Sequence, residues 1–515
     1  MKKVLVANRG EIAVRIIRGC ADAGIKSVAI YSECDRTAYH VRLADEVYYV
    51  GPSPSNESYL VQNKIIEIAK KSKADAIHPG YGFLAENAEF AKLCEKSGII
   101  FIGPKSETIA LLGDKLEARQ MAIKAKLPLV PGDEFDNSNI SQVESIAEKI
   151  GYPVLIKAAA GGGGKGMRVV EEKAKLTESV ESAIREATNA FGDGRVFIEK
   201  YVVKPRHVEI QIMADMYGNA IHLGERECSI QRRHQKVIEE SPCPIMTPEL
   251  LKRMGDAAVN IVKESKYVGA GTVEFLVDKD LNFYFLEVNT RLQVEHPITE
   301  MVTGIDIVRE QFRIAEGKKL SIKQQDVKQN GHAIECRIYA EDSEQGFMPS
   351  TGTINQYREP SGPGVRVDAG VVAGSQIPIY YDPMIAKMAV WGADRNEAIE
   401  RTLRALREYS ISGLSTTIGF ACAVMNNQNF RMGDYATDFV GKEFPEMKFS
   451  CQKEDVKQKA AISAAVFEYL ESGKVSLNST VEQKGGSAAK GGTTSKDGWS
   501  RYYRGRGVTR LGGGR

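Results

Sequence analysis

The sequence predicts a chain of α/β and α+β domains, and three observations support this prediction. The 515 residues carry a formal net charge of +2 and are 43% hydrophobic, enough for about three domains of roughly 100–200 residues. Short β-branched runs alternate with helical patterns up to about residue 110, and strand–turn–strand patterns dominate afterwards. The eight cysteines form no CxxC pair and no zinc-type spacing, which favours scattered reduced thiols in a cytoplasmic protein.

The first domain is predicted over residues 1–113. The runs "KVLVA", "SVAIYS", "DAIHPG" and "IIFIG" alternate with helical segments such as "GEIAVRIIRGCADAG" and "ENAEFAKLCEKSG". Strands that alternate with amphipathic helices predict a doubly wound parallel sheet. The start of the chain lacks the apolar stretch of a signal peptide, and no apolar run approaches the ~18 residues that would span a membrane.

Two further domains are predicted, a central one over 114–325 and a mixed α+β one over 326–447. The central one contains the strand "PVLIK", the loop "GGGGKG", a long helix near 173–190, a hairpin that turns at Gly218–Asn219 and a helix near 249–266. The last one begins with strands and turns and continues with the helix "RNEAIERTLRALREYSI".

The end of the chain differs in composition. Residues 448–483 hold one predicted helix, 456–472, and residues 484–515 contain ten glycines, eight Lys/Arg and one Asp. Such a composition predicts a disordered basic tail. The tail could contact RNA, but the near-neutral charge of the whole chain argues against a nucleic-acid protein, and a solvated tail is the favoured interpretation.

The stretch "FLEVNTRLQVEHP" contains an unusual set of polar residues. In an extended chain alternate side chains share a face, so this pattern predicts one polar face made of Glu287, Asn289, Arg291, Gln293 and Glu295. The preceding segment "GTVEFLVDKDLNFYF" predicts a hairpin that brings Glu274 beside Glu287. Two carboxylates and an amide oxygen suit Mg²⁺ better than zinc, and a pair of surface glutamates is the disfavoured alternative.

The glycine-rich loop predicts a cover for phosphate groups. Glycines expose backbone N–H groups to an anion, and the loop is neither a Walker A motif nor a Rossmann fingerprint. Its candidate ligands are Gly162, Gly163, Gly164, Lys165 and Gly166. Taken alone, Lys157 at the end of "PVLIK" is expected to extend to solvent, and the segment "SIQRRHQK" is equally consistent with a binding site and with a solvated basic turn.

In combination these motifs resemble biotin carboxylase, the ATP-grasp component of biotin-dependent carboxylases. The resemblance covers Met1 to about Pro445 and rests on "ANRGEIAVRIIR", "HPGYGFLAEN", "KAAAGGGGKGMR", "RHVEIQ", "SIQRRHQKVIEE", "FLEVNTRLQVEHPITE" and "IECRIYAED". It implies that residues 114–325 form an ATP-grasp domain with a glycine-rich lid, flanked by the two other biotin carboxylase domains.

The resemblance also implies roles for individual residues. ATP would be held by Lys115, Lys157, Gly162, Gly163, Gly164, Lys165, Gly166, Glu199, Lys200, Tyr201, Val202, His207, Gln231 and His234. Mg²⁺ or Mn²⁺ would bind Glu274, Glu287 and Asn289, and bicarbonate would bind Lys236, Arg291, Gln293, Val294 and Glu295. Glu295 would be the general base, with its pKa adjusted by Arg291, and Arg337 would face the biotin ring.

The implied activity is ATP-dependent carboxylation of biotin by bicarbonate through carboxyphosphate. The chain has no Met-Lys-Met biotinylation motif, so the expected partners are a second copy in a homodimer, a separate biotin carrier protein and a carboxyltransferase subunit. Helix 456–472 would dock one of the latter two or, preferably, pack on the third domain. The final acceptor could be acetyl-CoA (as in fatty acid biosynthesis), propionyl-CoA or pyruvate. The alternatives are another ATP-grasp ligase, such as carbamoyl-phosphate synthetase or a peptide-type ligase, and a non-catalytic scaffold subunit.

Overall fold

The computed structural model describes residues 1–135, 140–158, 167–447, 449 and 461–469. They belong to two units, Met1–Cys451 and Gln452–Arg515. The second unit contributes a helix over 461–469, inside the helix predicted for 456–472. The glycine-rich lid and the basic tail at 484–515 lie outside the described residues.

The amino-terminal region forms a five-stranded parallel sheet. Its elements are β1 (Lys3–Val6), α1 (Gly10–Asp22), β2 (Lys26–Ser32), α2 (Tyr39–Leu43), β3 (Glu46–Gly51), α3 (Gln62–Ser72), β4 (Ala76–His78), α4 (Ala88–Lys96), β5 (Ile100–Phe101) and α5 (Ser106–Gly113). The order β3-β2-β1-β4-β5 confirms the predicted doubly wound sheet. The prediction missed β3, although its sequence "EVYYVG" is rich in β-branched and aromatic residues; it is an edge strand whose Val47 and Tyr49 are exposed.

A four-stranded antiparallel sheet follows, covered by helices. Its elements are α6 (Lys115–Lys124), β6 (Gly132–Glu134), α7 (Ile140–Ile150), β7 (Val154–Ala158), β8 (Met167–Val170), α8 (Leu176–Phe191) and β9 (Val196–Lys200), in the strand order β6-β9-β7-β8. Strands β7 and β8 pair from Val154↔Val170 to Lys157↔Met167. The sequence of the glycine-rich loop therefore connects two strands that are antiparallel neighbours.

The next elements belong to the sheet that carries the polar motifs. They are β10 (Arg206–Ala214), β11 (Ala220–Arg232), β12 (Gln235–Ser241), α9 (Pro248–Glu264), β13 (Gly269–Val277), β14 (Phe283–Asn289), α10 (His296–Thr303) and α11 (Ile307–Ala315). Both predicted hairpins are confirmed. Strands β10 and β11 pair around Gly218–Asn219, and β13 and β14 pair with Glu274 opposite Glu287.

The carboxyl-terminal region extends the same sheet. Its elements are β15 (His332–Tyr339), β16 (Glu341–Asp342), β17 (Met348–Pro349), β18 (Gly352–Thr353), β19 (Gln356–Arg358), β20 (Val365–Ala369), β21 (Gln376–Ile377), β22 (Met384–Gly392), α12 (Arg395–Glu408), β23 (Ser410–Ser412), α13 (Ile418–Asn426), α14 (Gln428–Met432) and α15 (Phe439–Glu443). An eight-stranded sheet in the order β14-β13-β10-β11-β12-β15-β22-β20 thus runs across the boundary predicted at 325/326.

The large sheet has two faces of opposite character. On β10 and β13 the residues Val208, Ile210, Val273 and Phe275 pack against helix α9 in a buried apolar cluster. The residues between them alternate to the other face and are polar, although they are also buried. Because the two faces of a strand alternate, this single sheet provides both a core and a polar platform.

The cysteine prediction needs one correction. Cys20, Cys34, Cys94, Cys228, Cys243 and Cys336 are free thiols, as predicted, but Cys422 is disulfide-bonded. Sequence spacing alone does not pair cysteines, so the prediction could not separate Cys422 from the others. Among the described helices, none is both long and apolar enough to cross a bilayer.

Candidate active site

The buried polar face of the large sheet is organised around the ammonium group of Lys236. This group lies 2.5 Å from Glu209 Oε2, 2.8 Å from Glu274 Oε1 and 2.8 Å from Glu295 Oε1. The three carboxylates come from β10, β13 and the residue before α10, so the contact is made entirely by the tertiary fold. Burial alone would lower the pKa of Lys236, but Glu209 and Glu274 outweigh it and hold the pKa well above its usual range.

Arg226 of β11 stabilises the polar face around Lys236, and the sequence analysis did not identify it. Its guanidinium is fully buried, and all five of its N–H donors have acceptors. The acceptors are Glu209 Oε1 (2.5 Å), Gln211 Oε1 (2.7 Å), Thr299 Oγ1 (2.9 Å), Gln293 Oε1 (2.8 Å) and Thr272 Oγ1 (3.2 Å). Arg226 thereby orients Gln293, whose Nε2 donates to Glu274 Oε1 at 2.8 Å.

The sequence analysis also missed Glu209 and Gln211 of β10, although the strand shows a regular alternation of polar and apolar residues. Its sequence "RHVEIQIMA" alternates His207, Glu209 and Gln211 with Val208, Ile210 and Ile212. A solvated strand face would alternate in the same way, so the pattern does not reveal that Glu209 and Gln211 are fully buried. Only the layers above the strand, which include α10, make these residues part of a site.

Glu295 lies between two cations. Its Oε1 contacts Lys236, and its Oε2 accepts a hydrogen bond from Arg337 Nη2 at 3.0 Å. Burial alone would raise the pKa of Glu295, but Lys236 and then Arg337 and Arg226 hold it well below its usual range. The prediction named Arg291 as the neighbour that adjusts this pKa, whereas the largest opposing charges are those of Lys236, Arg337 and Arg226.

Arg291 has a different main partner. Its Nε donates to Glu86 Oε2 at 2.9 Å, and its Nη2 donates to Asn289 Oδ1 at 3.0 Å. Glu86 belongs to the motif "HPGYGFLAEN" and also accepts a hydrogen bond from the Thr290 N–H at 3.0 Å. The amino-terminal region thus anchors the segment that follows β14.

The predicted extended strand through Glu295 is also corrected. Strand β14 ends at Asn289, residues 290–293 are irregular with a bend at Arg291, residues 294–295 form a turn, and α10 begins at His296. Gln293 and Glu295 still reach the platform, because the turn folds back over it rather than because strand alternation places them there. The Val294 carbonyl accepts a hydrogen bond from Lys387 Nζ of β22 at 2.6 Å, which fixes this turn.

Glu274 and Glu287 form the candidate cation site. They are register partners on β13 and β14, and Asn289 Nδ2 donates to Glu274 Oε1 at 2.9 Å. Burial and then the charge of Glu274 raise the pKa of Glu287, although Lys115 opposes this shift. Two adjacent carboxylates, of which Glu287 is disfavoured as an anion by Glu274, with an amide beside them, are the donor set expected for Mg²⁺ or Mn²⁺. The residues present therefore fit such an ion.

Two other groups of metal-type residues exist among the described residues, His207–Glu209–Glu274 and Glu209–Cys228–Glu295. Both groups include carboxylates that already contact Lys236. An ammonium group among these carboxylates supplies the positive charge that a metal ion would otherwise provide. The charge of these carboxylates is therefore balanced without a metal ion in either group.

His207 continues the platform toward the predicted nucleotide site. Its ring hydrogen-bonds Glu274 Oε2 at 2.7 Å and the Gln231 amide at 2.7 Å. Burial alone would lower the pKa of His207, but Glu274 outweighs it and raises the pKa. His234 lies instead in the exposed turn between β11 and β12, so the structure does not bring it into the buried platform.

The predicted phosphate-contacting lysines lie near each other. Lys157 is buried and forms an ion pair with Glu199, so the expectation that it extends to solvent is wrong. Burial lowers the pKa of Lys115, while its electrostatic neighbours include Glu287, Lys157 and Glu199. Two lysine amines, those of Lys115 and Lys157, therefore lie close together, and the carboxylate of Glu199 offsets part of their positive charge.

The segment 199–202, predicted to hold ATP, is fixed by backbone hydrogen bonds and by the side chain of Lys200. The Lys200 ammonium donates to the carbonyls of Gly151 (3.0 Å) and Tyr152 (2.8 Å), and the Tyr201 N–H donates to Pro153 O at 3.0 Å. Tyr201 and Val202 are half-buried. The lid residues Gly162, Gly163, Gly164, Lys165 and Gly166 lie outside the described residues.

Comparison with known proteins identifies relatives for this arrangement. Three family models match in succession: "Biotin carboxylase, N-terminal domain" over residues 1–109, "Carbamoyl-phosphate synthase L chain, ATP binding domain" over 114–323 and "Biotin carboxylase C-terminal domain" over 335–442. A pyruvate carboxylase subunit of Methanothermobacter thermautotrophicus is 52% identical over an alignment of 486 residues, which covers 91% of this chain and 99% of that protein.

Two further relatives agree. Biotin carboxylase 1 of Bacillus subtilis is 52% identical over 441 residues, covering 85% of this chain and 98% of that protein. The biotin carboxylase domain of Hydrogenobacter thermophilus 2-oxoglutarate carboxylase, a dimer solved with MgADP, ADP and bicarbonate, superposes with a TM-score of 0.83 at 48% identity. That similarity covers 87% of this chain and 99% of the solved one.

Proposed function

Because this chain belongs to the biotin carboxylase family, we propose that Glu295, Lys236 and Arg337 form the centre where bicarbonate is activated and biotin is carboxylated. The activity is the ATP- and Mg²⁺-dependent carboxylation of biotin by bicarbonate. The observation that carries the assignment of residues is the position of Glu295 between Lys236 at 2.8 Å and Arg337 at 3.0 Å. The two cations attract the bicarbonate anion, so it binds next to the Glu295 carboxylate that is to accept its proton.

In the first step Glu295 accepts the proton of bicarbonate. Lys236 and Arg337 keep the free carboxylate ionised, which makes it a permanently available but weak base. Bicarbonate brings a negative charge that competes for the same two cations. Less of their stabilisation then remains for the Glu295 carboxylate, so its affinity for a proton rises when the substrate binds.

The deprotonated bicarbonate oxygen then attacks the γ-phosphorus of ATP, which gives ADP and carboxyphosphate. Lys115 and Lys157 would bind the phosphate groups and spread the charge that develops on the transferring phosphoryl. Glu274, Glu287 and Asn289 would hold Mg²⁺ or Mn²⁺, which supplies further positive charge at the phosphates when it is bound. Gln293, fixed by Arg226, and Arg291 would orient the bicarbonate.

The second step carboxylates the ureido nitrogen of biotin. Carboxyphosphate breaks into CO₂ and phosphate, the phosphate takes the ureido proton, and the nitrogen forms its bond to the carbon of CO₂. Arg337 would stabilise the enolate-like oxygen of biotin at this stage. Its guanidinium is suited to this role because Glu239 holds Nε at 2.6 Å while Nη2 points to Glu295.

Partners and location follow as finer proposals. We propose a homodimer that works with a separate biotin carrier protein and a separate carboxyltransferase subunit; the dimer of the Hydrogenobacter thermophilus relative supports the first of these. Light scattering on the purified chain tests the dimer. The relatives are named for pyruvate and for 2-oxoglutarate, which supports selection of the acceptor by the carboxyltransferase. An acetyl-CoA acceptor in fatty acid biosynthesis and a cytoplasmic location stay predictions.

The decisive experiment is bicarbonate-dependent release of ADP from Mg²⁺-ATP, measured with and without free biotin. We expect release to require bicarbonate, to rise with biotin and to stop when EDTA removes the metal. ATP turnover that is indifferent to bicarbonate and biotin would instead assign the site to another ATP-grasp reaction. A complete lack of turnover, also with a biotinylated carrier protein present, would support a non-catalytic scaffold.

A further inference from the structure

Two buried glutamates lie side by side beneath Arg337. Glu239 of β12 and Glu335 of β15 are register partners in antiparallel strands, so they occupy the same face, with Cβ atoms about 4.5–5.5 Å apart. Glu239 is 1% exposed and Glu335 is fully buried. The proposed chemistry uses Glu239 only as a hydrogen-bond partner of Arg337, and it assigns no role to Glu335.

The two carboxyl groups have few hydrogen-bond partners. Glu239 Oε1 accepts from Arg337 Nε at 2.6 Å. Glu239 Oε2 and both oxygens of Glu335 have no hydrogen-bond partner among the described residues. An ionised carboxylate buried without partners is costly, and two adjacent ones also repel each other. A proton on one of the two carboxyl groups removes both penalties.

The surrounding cations already have other partners. From β15, β12 and the turn before α10, the groups that face the pair are Arg337, Lys236 and Glu295. From β22, Lys387 faces Glu335, but its ammonium donates to the Val294 carbonyl at 2.6 Å and lies 3.4 Å from Glu11 of α1.

We propose that Glu239 and Glu335 share one proton, and that this acid pair is the device that positions Arg337. The proton forms one O–H bond, on Glu335, and is donated to the free Oε2 of Glu239. The pair then carries a single negative charge, located on Glu239, and Arg337 neutralises it. Burial is the leading cause that raises the pKa of Glu239 to about 7 and that of Glu335 well above its usual range.

The pair has a consequence for the reaction, which rests on the proposed function. When Glu295 takes the proton of bicarbonate, Arg337 loses one of its two anionic partners. Glu239 remains ionised because Glu335 holds the shared proton, so it keeps its contacts of 2.6 Å to both Nε and Nη2 of Arg337, and the guanidinium keeps its orientation toward biotin. Glu239 is therefore a positioning residue, and Glu335 sets its charge.

Infrared difference spectroscopy tests the shared proton without any substrate. At neutral pH the spectrum of the unmodified chain minus that of Glu335→Gln should show the C=O band of a protonated carboxyl, shifted in D₂O. Glu239→Gln should keep that band. Glu240→Gln is the matched control, because the neighbouring Glu240 is equally buried but has a pKa lowered to about 2 by His332 and Arg395, against its burial. Its difference spectrum should show carboxylate bands only.

Kinetics test the positioning role. Glu239→Gln should lower kcat for biotin carboxylation about tenfold or more, with the KM for ATP unchanged. If the Glu335→Gln difference spectrum shows carboxylate bands and no protonated carboxyl, the shared proton is refuted, whether or not the enzyme carboxylates biotin. If Glu239→Gln keeps full kcat, the positioning role is refuted.

Discussion

Substitution of Glu295 by Gln separates proton transfer from binding. Gln keeps the shape of Glu and one acceptor oxygen, but it cannot take a proton from bicarbonate. The fold should persist, because Lys236 retains Glu209 and Glu274, and Arg337 retains Glu239. The two cations that contact Glu295 therefore do not become unpaired buried charges.

The size of the effect follows from the role of Glu295. General-base catalysis contributes about 10²–10⁴-fold, equivalent to about 2.7–5.4 kcal/mol of barrier. We expect kcat for bicarbonate- and biotin-dependent ADP release to fall by that factor. Nucleotide affinity, measured by calorimetry with ADP, should change by less than about threefold, because the lysines predicted to contact phosphate do not touch Glu295.

Glu225→Gln is the matched control for this measurement. Glu225 is a buried glutamate on β11 of the same sheet, with its pKa raised mainly by burial and with the Cys243 N–H as a donor to its Oε1. It takes no part in the Lys236 group, so kcat should stay within about twofold. A Glu295→Gln enzyme with a kcat within tenfold of the unmodified one, or with lost nucleotide affinity, would refute the assignment of the base.

Three further predictions concern Arg337, Arg226 and Glu240. Arg337→Ala should lower biotin carboxylation about 10²-fold or more while slow bicarbonate-dependent ADP release without biotin continues; equal loss of both activities would contradict its role toward biotin. Arg226→Met should lower the free energy of unfolding by about 3–5 kcal/mol, because it leaves buried acceptors unpaired. Lys252→Met, at an exposed ion pair, is the control and should hardly change the midpoint of thermal denaturation. Similar midpoint shifts for the two variants would refute the claim. Burial would raise the pKa of Glu240, but His332 and Arg395 lower it from 4.5 to about 2. Ionised Glu240 therefore contributes about 3 kcal/mol to the free energy of unfolding, fully above pH 4.5, and this contribution is lost as the pH falls through about 2. Urea unfolding at a series of pH values should therefore show a flatter acid dependence for Glu240→Gln, and parallel curves would contradict this.

The electrostatics of the site required the fold. The resemblance implied a role for Glu295 toward bicarbonate and for Arg337 toward biotin, but it did not predict that Lys236 contacts three carboxylates. Glu209, Glu274 and Glu295 are up to 86 positions apart in the chain, and they meet because antiparallel strands and one turn converge on a single buried face. For the same reason Arg226, Glu86 and the Glu239–Glu335 pair gave no local signal: each depends on its partner across strands or domains.

The sequence by itself determined the parallel amino-terminal sheet, both hairpins of the large sheet and the pairing of Glu274 with Glu287. These features depend on local periodicity and on short connections, which a sequence displays directly. Only the tertiary structure decided that β14 ends at Asn289, that Lys157 is paired with Glu199 and that Cys422 is disulfide-bonded. Burial and long-range pairing set those outcomes, and neither is encoded in the spacing of residues along the chain.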